Sequence, residues 1–178
     1  MSAGETILRH CIDVPDFPTP GVVFKDLSPL LADPSAFAEV IEALAAAGRD
    51  DDGATVVDHV VGMEARGFIY GAPVALTLGV GFVPVRKPGK LPREVISETY
   101  ALEYGEDTLQ MHADALAPGA RVLLVDDVLA TGGTAAATAR LVARAGGAVH
   151  AVAVLMELGF LSGRAAVADL ALTALTTA

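Results

Sequence analysis

The chain has 178 residues, of which 53% are hydrophobic, and it carries a formal net charge of −10 at pH 7. The length predicts a single domain, residues 1–178. No apolar run reaches the roughly 18 residues of a membrane span, and the N-terminal residues do not resemble a signal peptide. We therefore expect a cytoplasmic protein without membrane contact. The acidic charge argues against broad binding to nucleic acid or to anionic lipid.

The first predicted elements surround a proline-rich segment. Residues 13–21, DVPDFPTPG, cannot form a central strand or a helix interior, because proline lacks the backbone N–H that both require. Residues 22–31 predict a short extended piece that turns into a loop. Asp33 and Pro34 then predict an N-cap followed by proline at the first helical position, and apolar residues at helical spacing carry this helix to Gly48.

The middle of the chain alternates between predicted strands and helices. The β-branched apolar run at residues 54–61 predicts a buried strand, residues 68–78 predict a helix, and residues 81–86 predict a second strand. Residues 87–105 combine proline, glycine and charge without a sustained apolar period, which predicts a long mobile loop or a weak hairpin. An irregular segment of this length inside a domain is usually functional.

Strands and helices continue to alternate toward the C-terminus. The predicted elements are a turn at residues 118–119, a strand at 122–125, a helix at 133–146, a strand at 147–156, a helical turn at 160–165 and an edge strand at 168–175. This alternation predicts an α/β fold with a mostly parallel central sheet and helices on both faces.

A Thr-Gly-Gly-Thr turn connects the predicted strand at 122–125 to the helix that follows. Gly132 and Gly133 allow the backbone to approach an anion closely, and Thr131 and Thr134 add hydroxyl donors. The helix N-terminus offers unpaired N–H groups and a positive dipole end. The turn therefore predicts a site for a phosphate monoester, and the absence of GxxxxGK[ST] and GxGxxG argues against a Walker loop or a dinucleotide site.

Two carboxylates, Asp126 and Asp127, stand between that strand and the turn. Their negative charges would repel a neighbouring phosphate unless the carboxylates face a different part of the ligand. The vicinal hydroxyls of a ribose are suitable, because they can donate hydrogen bonds to both carboxylates. Strand, carboxylates and turn together indicate a ribose 5-phosphate unit beyond the carboxyl end of the strand. The alternative is a helix cap with two surface acids.

Basic residues are concentrated after the second predicted strand. Four of the chain's 12 Lys and Arg residues, Arg86, Lys87, Lys90 and Arg93, fall within eight positions. In an acidic protein such a cluster fits a phosphorylated ligand, because Arg grips phosphate oxygens bidentately and Lys acts as a point charge. An ordinary solvated run of charges is the alternative.

Four sequence blocks carry a family resemblance. VLLVDDVLATGGTA resembles the phosphoribosyl pyrophosphate (PRPP) signature of the type I phosphoribosyltransferases. The segments DFPTPGVVFKDLSPLL, GMEARGFIYG and RKPGKLP…YALEYG resemble the adenine phosphoribosyltransferases of that family. The blocks keep the family's order and cover the chain from about residue 13 to residue 157.

The resemblance implies a fold and a reaction. The fold is the type I phosphoribosyltransferase fold, with a mostly parallel sheet, flanking helices, a small N-terminal hood at about residues 1–33, a core at about 34–178 and a mobile lid at 87–105. The implied reaction converts adenine and PRPP to AMP and pyrophosphate through an oxocarbenium-like transition state. Mg²⁺ is carried by PRPP or pyrophosphate without direct protein ligands, and the assembly is a homodimer.

The match also implies roles for individual residues. Asp126 and Asp127 hold the ribose hydroxyls. The 5-phosphate is cradled by Ala130, Thr131, Gly132, Gly133 and Thr134. Pyrophosphate is met by Arg66, Arg86, Lys87 and Lys90, and adenine by Val23, Phe24 and Lys25, where Lys25 replaces an Arg of the family. Arg66 and Glu103 are the implied catalytic residues, Glu103 for proton transfer, and Tyr104 lies beside Glu103 in the lid.

Other interpretations stay open on the residues alone. Phe24 fits core packing as well as stacking on a base, and Glu103 fits an exposed loop carboxylate. The rival functions are a phosphoribosyltransferase for another purine, against which residues 13–31 argue, and a PRPP-sensing regulator, for which no basic DNA-binding helix is found. A tight turn that aims N–H groups at pyrophosphate also predicts a strained peptide near Glu64-Ala65.

Overall fold

The N-terminal part of the structure combines helices with a small hairpin. The structure is a computed structural model that describes residues 2–101 and 105–178. The first elements are α1 (Ala3–His10), β1 (Ile12–Pro15), β2 (Val23–Asp26), α2 (Ser28–Ala32) and α3 (Pro34–Ala45). Strands β1 and β2 pair antiparallel apart from the main sheet, so the proline-rich segment lies outside the central sheet, as predicted. The segment after β2 forms α2, where only a loop was expected.

Helix caps fix where α1 and α3 begin. The Asp33 carboxylate accepts N–H bonds from Ser35 at 2.9 Å and from Ala36 at 3.0 Å, and Pro34 occupies the first turn, which confirms the predicted cap. These bonds, the Ala36 amide first, lower the pKa of Asp33 to about 2. Helix α1 is not among the predicted elements, although Ser2 and Glu5 form a reciprocal capping box that is readable as S-x-x-E.

The remainder of the chain supplies the main sheet, a second hairpin and two long helices. In chain order the elements are β3 (His59–Met63), α4 (Gly67–Leu78), β4 (Gly81–Val85), β5 (Val95–Ala101), β6 (Glu106–His112), β7 (Arg121–Leu129), α5 (Gly133–Arg144), β8 (Ala148–Glu157) and β9 (Leu172–Thr177). Short 3-10 turns span Gly159–Leu161 and Gly163–Val167. None of the described helices is long and apolar enough to cross a lipid bilayer.

Five strands form the main sheet in the order β4-β3-β7-β8-β9. Every neighbouring pair in it is parallel. Helices pack on both of its faces, so the predicted α/β class with a parallel central sheet is confirmed. Because the strands run in one direction, their carboxyl ends share one edge, where ligands of open parallel sheets bind.

Two strand boundaries differ from the prediction for reasons of pairing. Strand β3 begins at His59 rather than at residue 54, because its partners start only at Gly81 on β4 and Val122 on β7. Strand β7 continues beyond residue 125 to Leu129. It does so because Asp126 still pairs with Val154 of β8, so the two carboxylates sit inside the strand rather than after it.

The segment expected as a loop or a weak hairpin contains both forms, because residues 87–94 are irregular and residues 95–101 enter a hairpin. Strands β5 and β6 pair antiparallel from Val95↔His112 to Ala101↔Glu106. Leu109 and Met111 are fully buried on β6, which gives the hairpin an apolar face that the surrounding charges conceal in the sequence. The hairpin therefore extends past residue 105 to His112, and residues 102–104 lie outside the described part.

Strand β7 is buried on both faces and ties the two halves of the core together. Leu123 and Val125 belong to an apolar cluster with α3 and α4. Val122 and Leu124 belong to a second cluster with α5 and the β5–β6 hairpin. Packing on both faces explains the continuous apolar run before Asp126, as expected for a central parallel strand.

Candidate active site

The loop between β7 and α5 forms one side of an open pocket of about 360 Å³. Residues 128–135 line it together with Met63, Asp126 and Val154. All five residues predicted to cradle a phosphate, 130–134, are therefore at this pocket. Gly132 has φ +80°, and a Cβ built on it would lie 2.4 Å from the carbonyl oxygen of Gly163. Any larger residue would clash with backbone there.

Helix α5 begins at this pocket. Gly132 is its N-cap, and the Gly132 carbonyl accepts the first helical bond from the Ala136 N–H at 2.9 Å. The first N–H groups of a helix have no carbonyl partner within it. Together with the positive end of the helix dipole they can bind an anion, so the geometry is suitable for a phosphate group.

Asp126 and Asp127 are adjacent in the chain but line different pockets, because side chains alternate along β7. Asp126 lines the cradle pocket, and its Oδ1 accepts the Asp127 N–H at 2.9 Å. A Cβ built on Gly67, the first residue of α4, would lie 3.0 Å from that Oδ1. Burial, followed by the charge of Asp127, raises the pKa of Asp126 well above its usual range.

Arg66 connects Asp127 to the small N-terminal hairpin. Its Nε lies 2.7 Å from Asp127 Oδ2 in an ion pair, and its guanidinium carbon lies 5.2 Å from the centre of the Phe24 ring. Asp127 is 4% exposed, so this ion pair reaches a nearly buried carboxylate. The peptide between Glu64 and Ala65, where an unusual backbone was expected, is cis.

A second, more apolar pocket of about 460 Å³ adjoins the first. Its lining residues are Phe24, Lys25, Arg66, Val128, Ala130 and Leu158. The Lys25 ammonium is held by both carboxylate oxygens of Asp13, at 2.8 and 3.0 Å. Val23, the third residue expected at a base, is half-exposed on β2 and is not among the lining residues.

Val128 and Leu158 are lining residues that the sequence analysis missed. Both lie at the carboxyl end of a central strand, Val128 on β7 and Leu158 directly after β8. The rule that ligands bind at this edge of a parallel sheet is the signal that could have selected them. Neither residue carries a polar group that would mark it in the sequence.

Two of the residues predicted to meet pyrophosphate, Arg86 and Lys87, contact Glu64. The Arg86 Nε lies 3.4 Å from Glu64 Oε2, and the Lys87 backbone N–H donates to the same oxygen at 2.8 Å. Arg86 also donates to the Lys90 carbonyl at 3.2 Å. The side chain of Lys87 pairs with the Asp107 carboxylate, whereas Lys90 is exposed. Arg86 and Lys87 are thus held by an acidic anchor beside Arg66.

Glu103 and Tyr104 lie outside the described residues. The described tyrosine closest to them in the chain, Tyr100, has its hydroxyl 3.1 Å from Thr134 Oγ1 at the cradle; the sequence analysis did not select it. Across residues 2–101 and 105–178, no group of three or more His, Cys, Asp or Glu side chains is placed to hold a metal ion.

The pockets form a continuous series. Val128 and Ala130 line both the cradle pocket and the apolar pocket. Phe24 and Arg66 line both the apolar pocket and a third pocket that contains Asp127. The cradle pocket therefore adjoins the apolar pocket with its aromatic ring, and the apolar pocket in turn adjoins the pocket that contains Arg66 and Asp127.

Comparison with known sequences identifies close relatives. A family model described as the phosphoribosyl transferase domain matches residues 28–165. The chain is 68% identical over 165 residues to the adenine phosphoribosyltransferase of a Nocardioides species, a match that covers 93% of this chain and 89% of that protein. It is 57% identical over 169 residues to the adenine phosphoribosyltransferase of Thermobifida fusca, with 95% and 94% covered.

Solved structures agree with the sequence relatives. The adenine phosphoribosyltransferase of Thermoanaerobacter pseudethanolicus superposes with a TM-score of 0.92 at 48% identity, over 98% of this chain and 99% of that one. The Saccharomyces cerevisiae enzyme, solved with an imino-altritol bisphosphate and adenine, gives a TM-score of 0.91 at 38% identity, over 97% and 98%.

Proposed function

We propose that this chain, which belongs to the adenine phosphoribosyltransferase family, converts adenine and PRPP to AMP and pyrophosphate in purine salvage. The observation that carries the proposal is the continuity of the three pockets through Val128, Ala130, Phe24 and Arg66. A nucleoside monophosphate carries the groups that suit the first two pockets, namely a phosphate and sugar hydroxyls for the cradle with Asp126, and a flat base for the adjoining apolar pocket.

The 5-phosphate binds at the start of α5 in this proposal. Backbone N–H groups of residues 130–134 and the hydroxyls of Thr131 and Thr134 donate to its oxygens. The left-handed Gly132 and the positive helix end make the loop suitable for an anion. Asp126, which lines the same pocket, accepts from a ribose hydroxyl, and Asp127 does so from the pocket that Arg66 and Phe24 also line.

The base occupies the apolar pocket. Phe24 offers an aromatic face, and Val128 and Leu158 supply apolar contacts. Lys25 and Val23, the other residues proposed near adenine, lie next to Phe24 on β2. Because Lys25 is engaged by Asp13, its backbone rather than its ammonium is the part we assign to the base.

The leaving pyrophosphate meets a group of cations. Arg66, Arg86, Lys87 and Lys90 neutralise the negative charge that develops as the sugar–oxygen bond breaks. Bound Mg²⁺ would help to neutralise the negative charge of the pyrophosphate leaving group. Mg²⁺ prefers oxygen ligands. The carboxylate of Asp127 is already engaged by Arg66, and that of Glu64 by Arg86 and the Lys87 N–H. We therefore assign the oxygen ligands of Mg²⁺ to PRPP rather than to the protein.

The β5–β6 hairpin is the element that excludes water in this mechanism. Loss of pyrophosphate leaves an oxocarbenium-like sugar, which water would capture in an open site. The hairpin already contacts the cradle through Tyr100 and Thr134. Glu103, which lies between β5 and β6 in the sequence, receives or guides the proton of adenine as the ring nitrogen is alkylated.

We further propose a cytoplasmic homodimer. Its support in the structure is the apolar surface of α4, where Leu76 is 83% exposed and Ile69 is 43% exposed. Such side chains on one helix are suited to burial against a second copy.

A nucleobase panel tests the proposed reaction. Purified protein with PRPP and Mg²⁺ is given adenine, hypoxanthine, guanine, uracil or orotate in turn, and base consumption and pyrophosphate release are followed. We expect adenine to be consumed far faster than the other bases. Equal turnover of several bases, or preference for another one, would overturn the adenine assignment. PRPP binding without pyrophosphate release from any base would identify a regulator instead.

A further inference from the structure

A chain of polar contacts links the basic cluster to the phosphate cradle. It consists of Lys87, Asp107, Tyr100 and Thr134. The Lys87 ammonium pairs with Asp107 Oδ2, and the Tyr100 hydroxyl lies 3.3 Å from the same oxygen. The Tyr100 hydroxyl also lies 3.1 Å from Thr134 Oγ1. Asp107 is the carboxylate on which the lysine and the tyrosine meet.

Asp107 is well placed to hold its partners rigidly. It lies on β6, its Oδ1 accepts the Thr108 N–H at 2.8 Å, and its side chain is 22% exposed. The Lys87 ammonium is the first cause that lowers the pKa of Asp107, so the carboxylate is charged at neutral pH. A half-buried ion pair of this kind is less screened by water than one on the open surface.

Lys87 is restrained at both ends. Its backbone N–H donates to Glu64 Oε2 at 2.8 Å, and its ammonium is held by Asp107. Lysine has a long flexible stem, and immobilising it on a ligand costs conformational entropy. A side chain that is already held in place by Asp107 loses less entropy when it binds an anion with its remaining N–H donors.

Tyr100 carries the restraint to the other side of the site. It is 8% exposed, and a Cβ built on Gly133 would lie 3.1 Å from its ring, so the ring packs on the start of α5. Its hydroxyl therefore joins the hairpin carboxylate to the cradle threonine. The hairpin, the basic cluster and the cradle are connected through one oxygen of Asp107.

We propose that Asp107 is a positioning residue for PRPP, which holds Lys87 for the pyrophosphate and, through Tyr100, fixes the hairpin to Thr134 at the 5-phosphate. This role rests on the proposed function, because it assigns the two ends of PRPP to Lys87 and to the cradle. Asp107 touches neither end itself. It acts through the two side chains that it holds.

The direction in which Asp107→Asn changes the Kd for PRPP distinguishes a positioning role from a purely electrostatic effect. Asp107→Asn removes a negative charge beside an anion site, and that change alone would strengthen PRPP binding. Loss of the anchor on Lys87 has the opposite effect. We expect the Kd for PRPP with Mg²⁺, measured by titration calorimetry, to rise about 2- to 10-fold, as for the freeing of one long side chain.

A double-mutant cycle isolates the route through Lys87. In a Lys87→Ala background, Asp107→Asn should leave the Kd for PRPP unchanged or lower it. Tyr100→Phe, which keeps the ring and removes the hydroxyl, should weaken PRPP binding by a smaller factor than Asp107→Asn. Asp114→Asn is the matched control, because this exposed carboxylate pairs with Arg93 near the same hairpin, and it should leave the Kd unchanged.

Two results would overturn the role of Asp107. One is that Asp107→Asn binds PRPP more tightly than the wild-type protein. The other is that Asp107→Asn weakens PRPP binding by the same factor in the wild-type and Lys87→Ala backgrounds. Either result leaves the proposed function intact if the unmodified protein still forms AMP from adenine. Unmodified protein that binds no PRPP would overturn the proposed function and this role together.

Discussion

The guanidinium of Arg66 forms an ion pair with the carboxylate of Asp127, with Nε 2.7 Å from Oδ2, and this contact connects the loop before α4 to the end of β7. Asp127 is nearly buried, whereas the Arg66 side chain is 48% exposed. The pair therefore satisfies a buried charge with a side chain that still reaches solvent and any ligand there. This arrangement suits an arginine that binds an anion without leaving its carboxylate partner.

Arg66→Ala should destabilise the protein, because it leaves the Asp127 carboxylate buried without its cation. We expect a loss of about 1–3 kcal/mol in the free energy of unfolding, toward the lower end because water screens the exposed half of the pair. Urea unfolding of Arg66→Ala in the wild-type and Asp127→Asn backgrounds measures it. The loss should be much smaller in the Asp127→Asn background; an equal loss in both backgrounds would contradict the interpretation.

Asp126→Asn should have opposite effects on stability at high pH and on activity. The folded pKa of Asp126 is raised by burial and by Asp127. The contribution of this carboxyl group to stability is therefore fully present below its unfolded pKa of about 3.9 and is lost as pH rises through the folded pKa. The amide of the Asp126→Asn variant cannot ionise. The stability of the variant relative to wild type should therefore increase with pH.

Urea unfolding at about pH 5 and about pH 8 measures this difference. Asp51→Asn, in an exposed turn, is the control and should show no such trend. At the same time kcat/KM for PRPP should fall more than about ten-fold in Asp126→Asn, because a charge-assisted hydrogen bond to the ribose is lost. Unchanged PRPP kinetics would remove the ribose role.

Phe24→Leu should weaken adenine binding. Stacking of a base on an aromatic ring contributes about 1–3 kcal/mol, so the KM for adenine should rise about 5- to 150-fold. The KM for PRPP should change less, although Phe24 also lies under Arg66. Steady-state kinetics with each substrate varied provide the test, and Phe160→Leu, on a 74% exposed surface residue, is the control. An effect confined to PRPP would place the base elsewhere.

Gly132→Ala should cost more stability than alanine at another left-handed glycine. Gly53 has φ +82° with open space around a built Cβ, whereas the built Cβ of Gly132 meets the Gly163 carbonyl oxygen at 2.4 Å. Gly53→Ala should lose about 1–2 kcal/mol for the left-handed backbone, and Gly132→Ala about 1–3 kcal/mol more for the clash. Urea unfolding of both variants measures the difference. Equal losses in the free energy of unfolding would contradict the prediction and show that the backbone around Gly132 moves to accommodate the added methyl group.

Features encoded by neighbouring residues were predictable from the sequence. The cap at Asp33, the strand, turn and helix around residues 122–146 and the alternation that defines the α/β class all depend on residues close together in the chain. Backbone propensity, capping and apolar period act over the same short range. The carboxylate pair and the glycine turn could therefore be assigned to one end of a central strand before its neighbours were known.

Contacts between distant segments required the folded chain. Lys87 meets Asp107, and Phe24 lies under Arg66, only because β3 is placed between β4 and β7 and because the hairpins fold onto their ends. Apolar periodicity specifies which face of a strand is buried but not which strand lies beside it. For the same reason Leu158 at the apolar pocket, the separation of Asp126 from Asp127 and the β5–β6 pairing emerged only from three-dimensional packing.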